Sequence, residues 1–327
     1  MARRAALFLV LLCCTTATGN MTAVAESHES VATTIVAERH SDANDGNGEI
    51  VSVRPDGSHL QVLTTGSEDE APDVSHDGRL VAFQRCVAAV DCDQEGAQNL
   101  YLMRSDGSRV RALTHCTPGS DCLGSFDPAF SPDDRLIAFS RDQLDSSGVN
   151  FQGIFTMWVD GTHLRRITSN GPDALPDSRP RFSPDGRRLV FSRELPGGNG
   201  QLMTVNLDGT HLRALLPGVN AFDPDWSPDG RRIAYSWVHP TDDGVAVDVA
   251  VVSVHGGRVR PLTKTDGTGT FAFQPDYSPD GNRVVLSRSD DQGCTLMTLS
   301  AFGGGLHPVP TGGGCTVNPS WSGPRGD

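Results

Sequence analysis

One short pattern recurs along almost the whole chain and limits what the chain can fold into. It combines a Pro, an apolar or aromatic residue, a turn of the Ser-Pro-Asp-Gly type and an apolar run that usually ends in Arg. The copies are PDVSHDGRLVAFQR from Pro72, PAFSPDDRLIAFSR from Pro128, PRFSPDGRRLVFSR from Pro180, PDWSPDGRRIAYSW from Pro224, PDYSPDGNRVVLSR from Pro275 and a truncated PSWSGPRGD from Pro319. Self-similarity at a spacing of roughly 50 residues is typical of propellers and solenoids.

Each copy predicts a hairpin between two strands. In the copy from Pro180, Pro184 fixes φ at the second turn position, Asp185 tolerates the third, and Gly186 accepts the positive φ that follows. The apolar run from Leu189 to Phe191 has no polar alternation, which indicates a strand buried on both faces. Such a strand needs a sheet that lies between two neighbouring sheets.

A second hairpin signal follows each apolar strand after a loop of variable length. It is an Asp-Gly turn between apolar runs, which strongly predicts a hairpin. The turns are Asp56-Gly57, Asp106-Gly107, Asp160-Gly161, Asp208-Gly209 and the degenerate Gly256-Gly257 and Gly303-Gly304. One repeat therefore predicts four strands, named a and b around the first turn and c and d around the second. Six such units predict an all-β fold, a six-bladed β-propeller of four-stranded blades.

The two ends of the chain complement each other. The first apolar strand, around Ile35, has no preceding Ser-Pro-Asp-Gly turn, so the N-terminus supplies strands b, c and d. The segment from Asn318 to Ser322 is a strand a with no strand b after it. Pairing these strands closes the ring and removes the exposed edge that an open array would carry.

Composition agrees with this fold and argues against several partners. The 36 Gly and 21 Pro among 327 residues fit an all-β protein with many tight turns. One domain is expected, because each blade packs only on its neighbours. The formal net charge of −13 argues against nucleic acid and anionic membrane surfaces, which need a basic patch.

The N-terminus has the three parts of a secretory signal peptide. Positive charge in Met1 to Arg4 precedes a short apolar run from Ala5 to Cys14, and Ala23-Val24-Ala25 offers a cleavage site. We expect a signal peptide over 1–25, a short mature tail over 26–32, the propeller over 33–322 and a C-terminal tail over 323–327. The predicted location is secreted or periplasmic with no transmembrane anchor. A lipoprotein attached through Cys13 or Cys14 is the alternative.

The repeat as a whole resembles that of a known family. Pro-x-aromatic-Ser-Pro-Asp-Gly with an Ile-Ala-Phe run, followed by Asp-Gly and Leu-Thr, is similar to the WD-type β-propeller repeat of the TolB family, also called the Pro-Asp repeat. The resemblance covers residues 33 to 322. It implies a six-bladed propeller and, as one possible role, a scaffold in the cell envelope.

Ligand contacts are expected on one face of the ring. Both turn types lie on one face, so the b-to-c and d-to-a loops share the other, called here the variable face, where functional variation concentrates. Trp237 stands where the other b strands end in Arg. The candidate ligand residues are this Trp237 and the polar residues before the first Pro of five repeat copies, Asp127, Arg179, Asp223, Gln274 and Asn318. The competing interpretation is that residues repeated in every blade, including the arginines, only fix the rim.

Six cysteines of the mature chain fall in loops of the variable face. In an exported protein they predict three disulfides. Cys294 and Cys315 form the firmest pair, because both lie next to strands on the same rim. The other four pair either locally, as Cys86 with Cys92 and Cys116 with Cys122, or across the two loops. Metal binding by these cysteines is the alternative, although no Cys-x-x-Cys pair is present.

The sequence contains no motif for catalysis. It has no Gly-x-Ser-x-Gly elbow, no His-Glu-x-x-His and no phosphate-binding Gly loop. We therefore expect an exported, non-catalytic and monomeric binding module without a cofactor or metal. Its partner would be a protein or peptide, bound through the variable face or the channel mouth. The alternatives are a secreted propeller enzyme of the lyase or hydrolase type, with a site in the channel mouth, and a TolB-like envelope scaffold.

Overall fold

The computed structural model describes residues 33–41, 47–86, 98–117, 119–144, 148–168 and 175–323. The predicted signal peptide, the residues 26–32 and the last four residues lie outside these ranges, as does Cys92. All regular structure in the described residues is β-strand. No helix in these ranges is long and apolar enough to cross a membrane.

The strands occur in the predicted order a, b, c, d along the chain. The a strands are β4 Asp69–Val74, β8 Cys122–Phe130, β12 Asp177–Phe182, β16 Asn220–Trp226, β20 Phe271–Tyr277 and β24 Cys315–Ser322. The b strands are β1 Thr34–His40, β5 Leu80–Cys86, β9 Leu136–Leu144, β13 Arg188–Leu195, β17 Arg232–Thr241 and β21 Arg283–Asp290. The c strands are β2 Gly48–Val53, β6 Gln98–Arg104, β10 Asn150–Trp158, β14 Asn199–Asn206, β18 Gly244–Ser253 and β22 Gly293–Ser300. The short d strands are β3 Gln61–Val62, β7 Arg111–Ala112, β11 Arg165–Arg166, β15 Arg213–Ala214, β19 Arg260–Pro261 and β23 His307–Val309.

The structure confirms an all-β propeller and corrects the expectation of six separate blades. Four of the sheets have four strands each, in the orders β24-β1-β2-β3, β4-β5-β6-β7, β8-β9-β10-β11 and β12-β13-β14-β15. The remaining strands, β16 to β23, form one eight-stranded sheet. Its two antiparallel halves are joined by a single parallel pair, Val247 with Phe271. The sequence could not show this link, because it depends on a d-to-a loop that brings β20 beside β18.

The first turn of each repeat forms as its residues predict. In the copy from Pro180, Ser183 Oγ donates to Asp185 Oδ1 at 2.5 Å, and the Arg188 N–H donates to Ser183 Oγ at 3.0 Å. Gly186 has φ of 68°, the left-handed conformation that Gly adopts without steric cost. The recurring Ser and Asp of the pattern therefore hold the turn through hydrogen bonds.

The apolar runs are buried on both faces, as expected. Leu189, Val190 and Phe191 on β13 are each fully buried. Leu189 and Phe191 pack into the seam with the preceding sheet, whereas Val190 packs into the seam that contains Trp226. Side chains of one strand thus fill two cores, since successive residues point to opposite faces of a sheet.

The chain ends close the ring in the predicted way. Strand β24 pairs antiparallel with β1, and Trp321 lies opposite Ile35. Trp321 is buried in a cluster with Ile35, Ala37 and Val53. The six a strands contact one another in sequence, from β4 through β8, β12, β16 and β20 to β24 and back to β4. They therefore surround a central channel.

Candidate functional site

A ring of six residues borders the channel at the variable face. Each precedes the Pro of its a strand and has a positive φ between 45° and 53°. The members, called here the mouth ring, are Ala71, Asp127, Arg179, Asp223, Gln274 and Asn318. A residue before Pro normally avoids this conformation, and only a few per cent of residues other than Gly adopt it.

A bulge in each a strand produces this conformation. In β16, Phe222 pairs with Ser236 and Asp225 pairs with Ala234, so the segment between them is one residue longer than its partner. The same register shift occurs in β4, β8, β12 and β20. All six mouth-ring residues lie inside the a strands. Bulges re-aim side chains, and here they bring five of the six candidate ligand residues to one cavity.

Hydrogen bonds from each a strand to the repeat before it in the ring hold the mouth ring in place. The backbone N–H of Asp223 donates to Ser192 Oγ at 3.1 Å, and that of Gln274 donates to Ser236 Oγ at 2.9 Å. The N–H of Asn318 donates to Gln274 Oε1 at 2.9 Å. In each case the N–H at the position of positive φ points towards the preceding repeat. They offset the cost of about 1–3 kcal/mol that such a conformation carries.

Arg179 crosses the mouth. Its Nε lies 3.0 Å from Asp223 Oδ1, and its Nη1 donates to Asn318 Oδ1 at 3.0 Å. Because β16 and β20 lie between β12 and β24 in the ring, this second contact spans the channel. Burial by itself would lower the pKa of Arg179, but the carboxylates of Asp223, Asp127 and Glu38 raise it. The mouth therefore carries a permanent positive charge among several negative ones.

A second ring of charged residues lies deeper in the channel. Its members, the inner ring, occupy the position two residues after the mouth ring: Asp73, Ala129, Arg181, Asp225, Asp276 and Ser320. Three carboxylates thus share one channel segment with a single guanidinium. This ring borders a cavity of about 80 Å³, and the mouth ring borders one of about 30 Å³. Both have room for a few water molecules and not for a polypeptide.

Each inner-ring carboxylate accepts a backbone N–H from the next a strand around the channel. Phe130 donates to Asp73 at 2.7 Å, and Tyr277 donates to Asp225 at 2.8 Å. Burial raises the pKa of Asp225 to about 6, although Arg181 and the bond from Tyr277 oppose the shift. Burial also raises the pKa of Asp73. These carboxylates join neighbouring a strands and carry titratable charge inside the fold.

The inner ring was missed at the sequence level. Its signal is the residue directly after the first Pro of each copy, which reads Asp, Ala, Arg, Asp, Asp and Ser down the aligned repeats. Charged residues at an aligned position within a buried strand indicate a shared polar environment. The aligned copies therefore predict that these residues meet in one polar part of the fold.

Trp237 does not join the mouth ring. It lies on β17 and stacks on His239, with ring centroids 3.9 Å apart. His239 Nε2 lies 3.0 Å from Asp248 Oδ2, and Asp248 Oδ1 accepts a hydrogen bond from Thr263. Trp237 is therefore part of a local cluster on one sheet. In the described ranges, no group of three or more His, Cys, Asp and Glu is arranged to hold a metal ion.

Disulfides join loops and strands of the variable face. Cys116 is bonded to Cys122, and Cys294 is bonded to Cys315. The first bond excludes pairing across the two loops. The pairing of Cys86 with Cys92 stays a prediction, because Cys92 lies outside the described residues.

These features define a class of protein: a closed β-propeller with a narrow, charged axial channel and a variable loop face. Residues 123–325, more than half of the sequence, match the TolB beta propeller domain family. The chain belongs to that family.

Individual relatives agree with this assignment. The Tol-Pal system protein TolB of Helicobacter pylori strain 26695 is 26% identical over 181 residues, which are 52% of this chain and 40% of that protein. The chain thus matches less than half the length of this relative. The crystal structure of TolB from Acinetobacter baumannii superposes with a TM-score of 0.68 at 19% identity, covering 89% of this chain and 67% of the other. A putative TolB from Agrobacterium tumefaciens gives 0.60 at 21% identity, covering 86% and 89%. At these identities the likeness to the solved structures concerns the fold.

Proposed function

We propose that the chain is an exported, monomeric, non-catalytic binding module that contacts a protein or peptide through the mouth of its channel on the variable face. Export would follow from the signal peptide over 1–25, which places the mature chain in the periplasm or outside the cell. The two halves of the eight-stranded sheet would count as separate blades, which makes six blades in all. The disulfides support an oxidising compartment.

The mouth ring is the observation that supports this proposal most strongly. Its backbone conformation is the same at all six positions, whereas its side chains are of five kinds, with Asp occurring twice. Asp127, Asp223 and Gln274 each accept a hydrogen bond from a serine hydroxyl within the fold. The Arg179 side chain, in contrast, stays partly exposed. Recognition of an asymmetric partner requires different side chains held on a rigid backbone, and the mouth ring provides both.

The narrow channel favours binding across the mouth. A cavity of about 30 Å³ beneath the mouth ring cannot admit a peptide. Arg179, which spans the opening, keeps 35% of its side chain exposed. A partner that docks on the variable face would therefore meet this guanidinium near the centre of the contact, where arginines often dominate binding energy.

Family membership indicates where to look for the partner. The curated relative is named a Tol-Pal system protein, so proteins of the cell envelope are the first candidates for this chain. The mature chain, residues 26–327, would be used to capture partners from the envelope fraction and the culture supernatant of the source organism. Cross-linking followed by mass spectrometry would then locate the contact.

A pair of arginine variants tests the assignment. Arg179→Ala removes the charge at the mouth, and Arg187→Ala makes the same change at an exposed position on the turn face of the same repeat. We expect the first to weaken binding of the captured protein about tenfold or more and the second to leave it unchanged. Equal affinities of the two variants, or cross-links confined to the turn face, would contradict the proposed function.

A further inference from the structure

Two arginines at the rim of the variable face each form a bidentate ion pair with an aspartate of the same sheet. Arg85 Nε and Nη2 donate to the two carboxylate oxygens of Asp69 at 2.5 and 2.8 Å. Arg193 makes the same pair of bonds to Asp177 at 2.6 and 2.8 Å. Both aspartates are fully buried. Each arginine of this pattern is thus neutralised from within its own sheet by a two-point contact.

Arg141 occupies the same place in the sheet between these two. It pairs in register with Ser125, as Arg85 pairs with Asp69 and Arg193 with Asp177. Its guanidinium lies over the ring of Phe155, 5.8 Å from the centroid. Arg85 lies in the same way over Tyr101, at 5.0 Å. The arginine and its aromatic support are therefore retained, and the aspartate is replaced by a serine.

Nothing in the described structure takes the place of that aspartate. Arg141 Nε is buried without a hydrogen-bond partner, and no described carboxylate forms an ion pair with this side chain. Burial lowers the pKa of Arg141, with no neighbouring negative charge to oppose it. The Ser125 hydroxyl lies 3.5 Å from Cys116 Sγ instead. A half-buried guanidinium without an anion carries a desolvation cost that its neighbours avoid.

We propose that Arg141, whose side chain is partly exposed, binds a carboxylate of the ligand in place of the aspartate that the other two arginines hold. The guanidinium fork suits this group, because its parallel N–H donors match the two carboxylate oxygens. An acidic side chain and the C-terminus of a peptide offer the same chemistry. The proposal rests on the proposed function only in placing the ligand on the variable face.

Binding of small carboxylates to the wild-type protein gives a direct test. The Nε–H resonances of Arg141 and Arg193 would be followed by NMR while acetate is added, with chloride at matched ionic strength as the control. We expect a saturable shift of Arg141 with acetate alone and no shift of Arg193, whose partner is already present. Absence of a shift at Arg141, or equal shifts of both arginines, would overturn the proposal.

Two peptides separate the sources of the carboxylate. One is an acetylated and amidated tripeptide with a central aspartate, and the other is an acetylated alanine tripeptide with a free C-terminus. The amidated peptide with asparagine in place of aspartate is the neutral control. Tighter binding of the first peptide would identify an acidic side chain as the source, and tighter binding of the second a chain terminus. Equal binding of the neutral control would overturn the recognition of a carboxylate.

An aspartate placed opposite Arg141 by mutation should occupy its guanidinium and prevent acetate from binding. Ser125→Asp would recreate the pair seen at Asp69 and Asp177, so we expect the acetate affinity to fall about tenfold or more and the thermal midpoint to rise by about 2 °C. Ser125→Asn is the uncharged control and should keep acetate binding. If Ser125→Asp does not fold, Arg141→Gln should abolish the response by itself. Acetate binding that survives in Ser125→Asp or Arg141→Gln would refute the assignment. The result is independent of the captured partner, so this proposal and the proposed function can fail separately.

Discussion

Closure of the ring predicts that the last strand is as important for stability as an interior strand. Trp321 on β24 and Trp226 on β16 occupy equivalent positions, with 6% and 4% of their surfaces exposed. Arg283 lies 4.9 Å from the ring centroid of Trp321, and Arg188 lies 5.0 Å from that of Trp226. The indole N–H of each is buried without a hydrogen-bond partner. The two sites are therefore closely matched in burial and contacts.

Replacement by alanine should cost nearly the same at both sites. Removing a buried Trp costs about 3–5 kcal/mol, and the lost cation–π contact adds about 0.5–1 kcal/mol. We expect Trp321→Ala and Trp226→Ala each to lower the free energy of unfolding by about 4 kcal/mol. Trp321→Phe should cost less than about 1.5 kcal/mol, because it keeps most of the apolar volume and removes an N–H that has no partner.

Urea unfolding followed by far-UV circular dichroism measures these differences without relying on tryptophan fluorescence. The comparison also distinguishes a closed ring from an open one. In an open ring β24 would be a frayed edge strand, and Trp321→Ala would then cost less than about 1 kcal/mol while Trp226→Ala still cost about 4. That result would refute the closure and the reasoning from β1 and β24.

Three further predictions concern charge and disulfides. In the folded protein the pKa of Asp225 is raised from 3.8 to about 6, so folding favours the protonated carboxyl. Its contribution to stability is fully present below pH 3.8 and is lost as the pH rises through about 6. Asp225→Asn should therefore gain up to about 3 kcal/mol relative to wild type between pH 4 and pH 6, and parallel stability curves from urea titrations would contradict this. Asp177→Asn leaves Arg193 without a charged partner and should cost about 2 kcal/mol in urea unfolding at pH 7, whereas no loss would show that the pair is unimportant. Loss of the disulfide between Cys294 and Cys315, which are 21 residues apart, should cost about 3 kcal/mol when both are changed to Ser, and free thiols at both positions in wild type would rule out the bond.

Much of the fold could be predicted from the sequence because its signals are local and repeated. The Ser-Pro-Asp-Gly turns, the Asp-Gly hairpins and the fully apolar b strands each identify one element without knowledge of its neighbours. The order of the strands and the pairing of the two chain ends followed from the copies alone. The parallel link between Val247 and Phe271 did not follow, because it depends on how one loop packs.

The candidate site was predicted only in part. Five polar residues before Pro were singled out as candidates, and their convergence on one cavity requires the bulges that turn them inward. Trp237 was grouped with them because it departs from the repeat, and the structure places it in a separate cluster with His239. A residue that departs from the repeat pattern can be identified from the sequence, but its neighbours in the folded protein cannot.

The sequence by itself determined the repeat unit, the closed all-β ring and the cysteines available for disulfides, because turn chemistry and apolar runs act over a few residues. Only the tertiary structure decided which charges meet. Arg179 contacts Asn318 across the channel, and Arg181 shares its ring with aspartates from three other strands. Arg141 is left without the partner that its counterparts have. These relations join residues that are distant in sequence, and their energies depend on burial and on distances of a few ångströms that only the assembled ring sets.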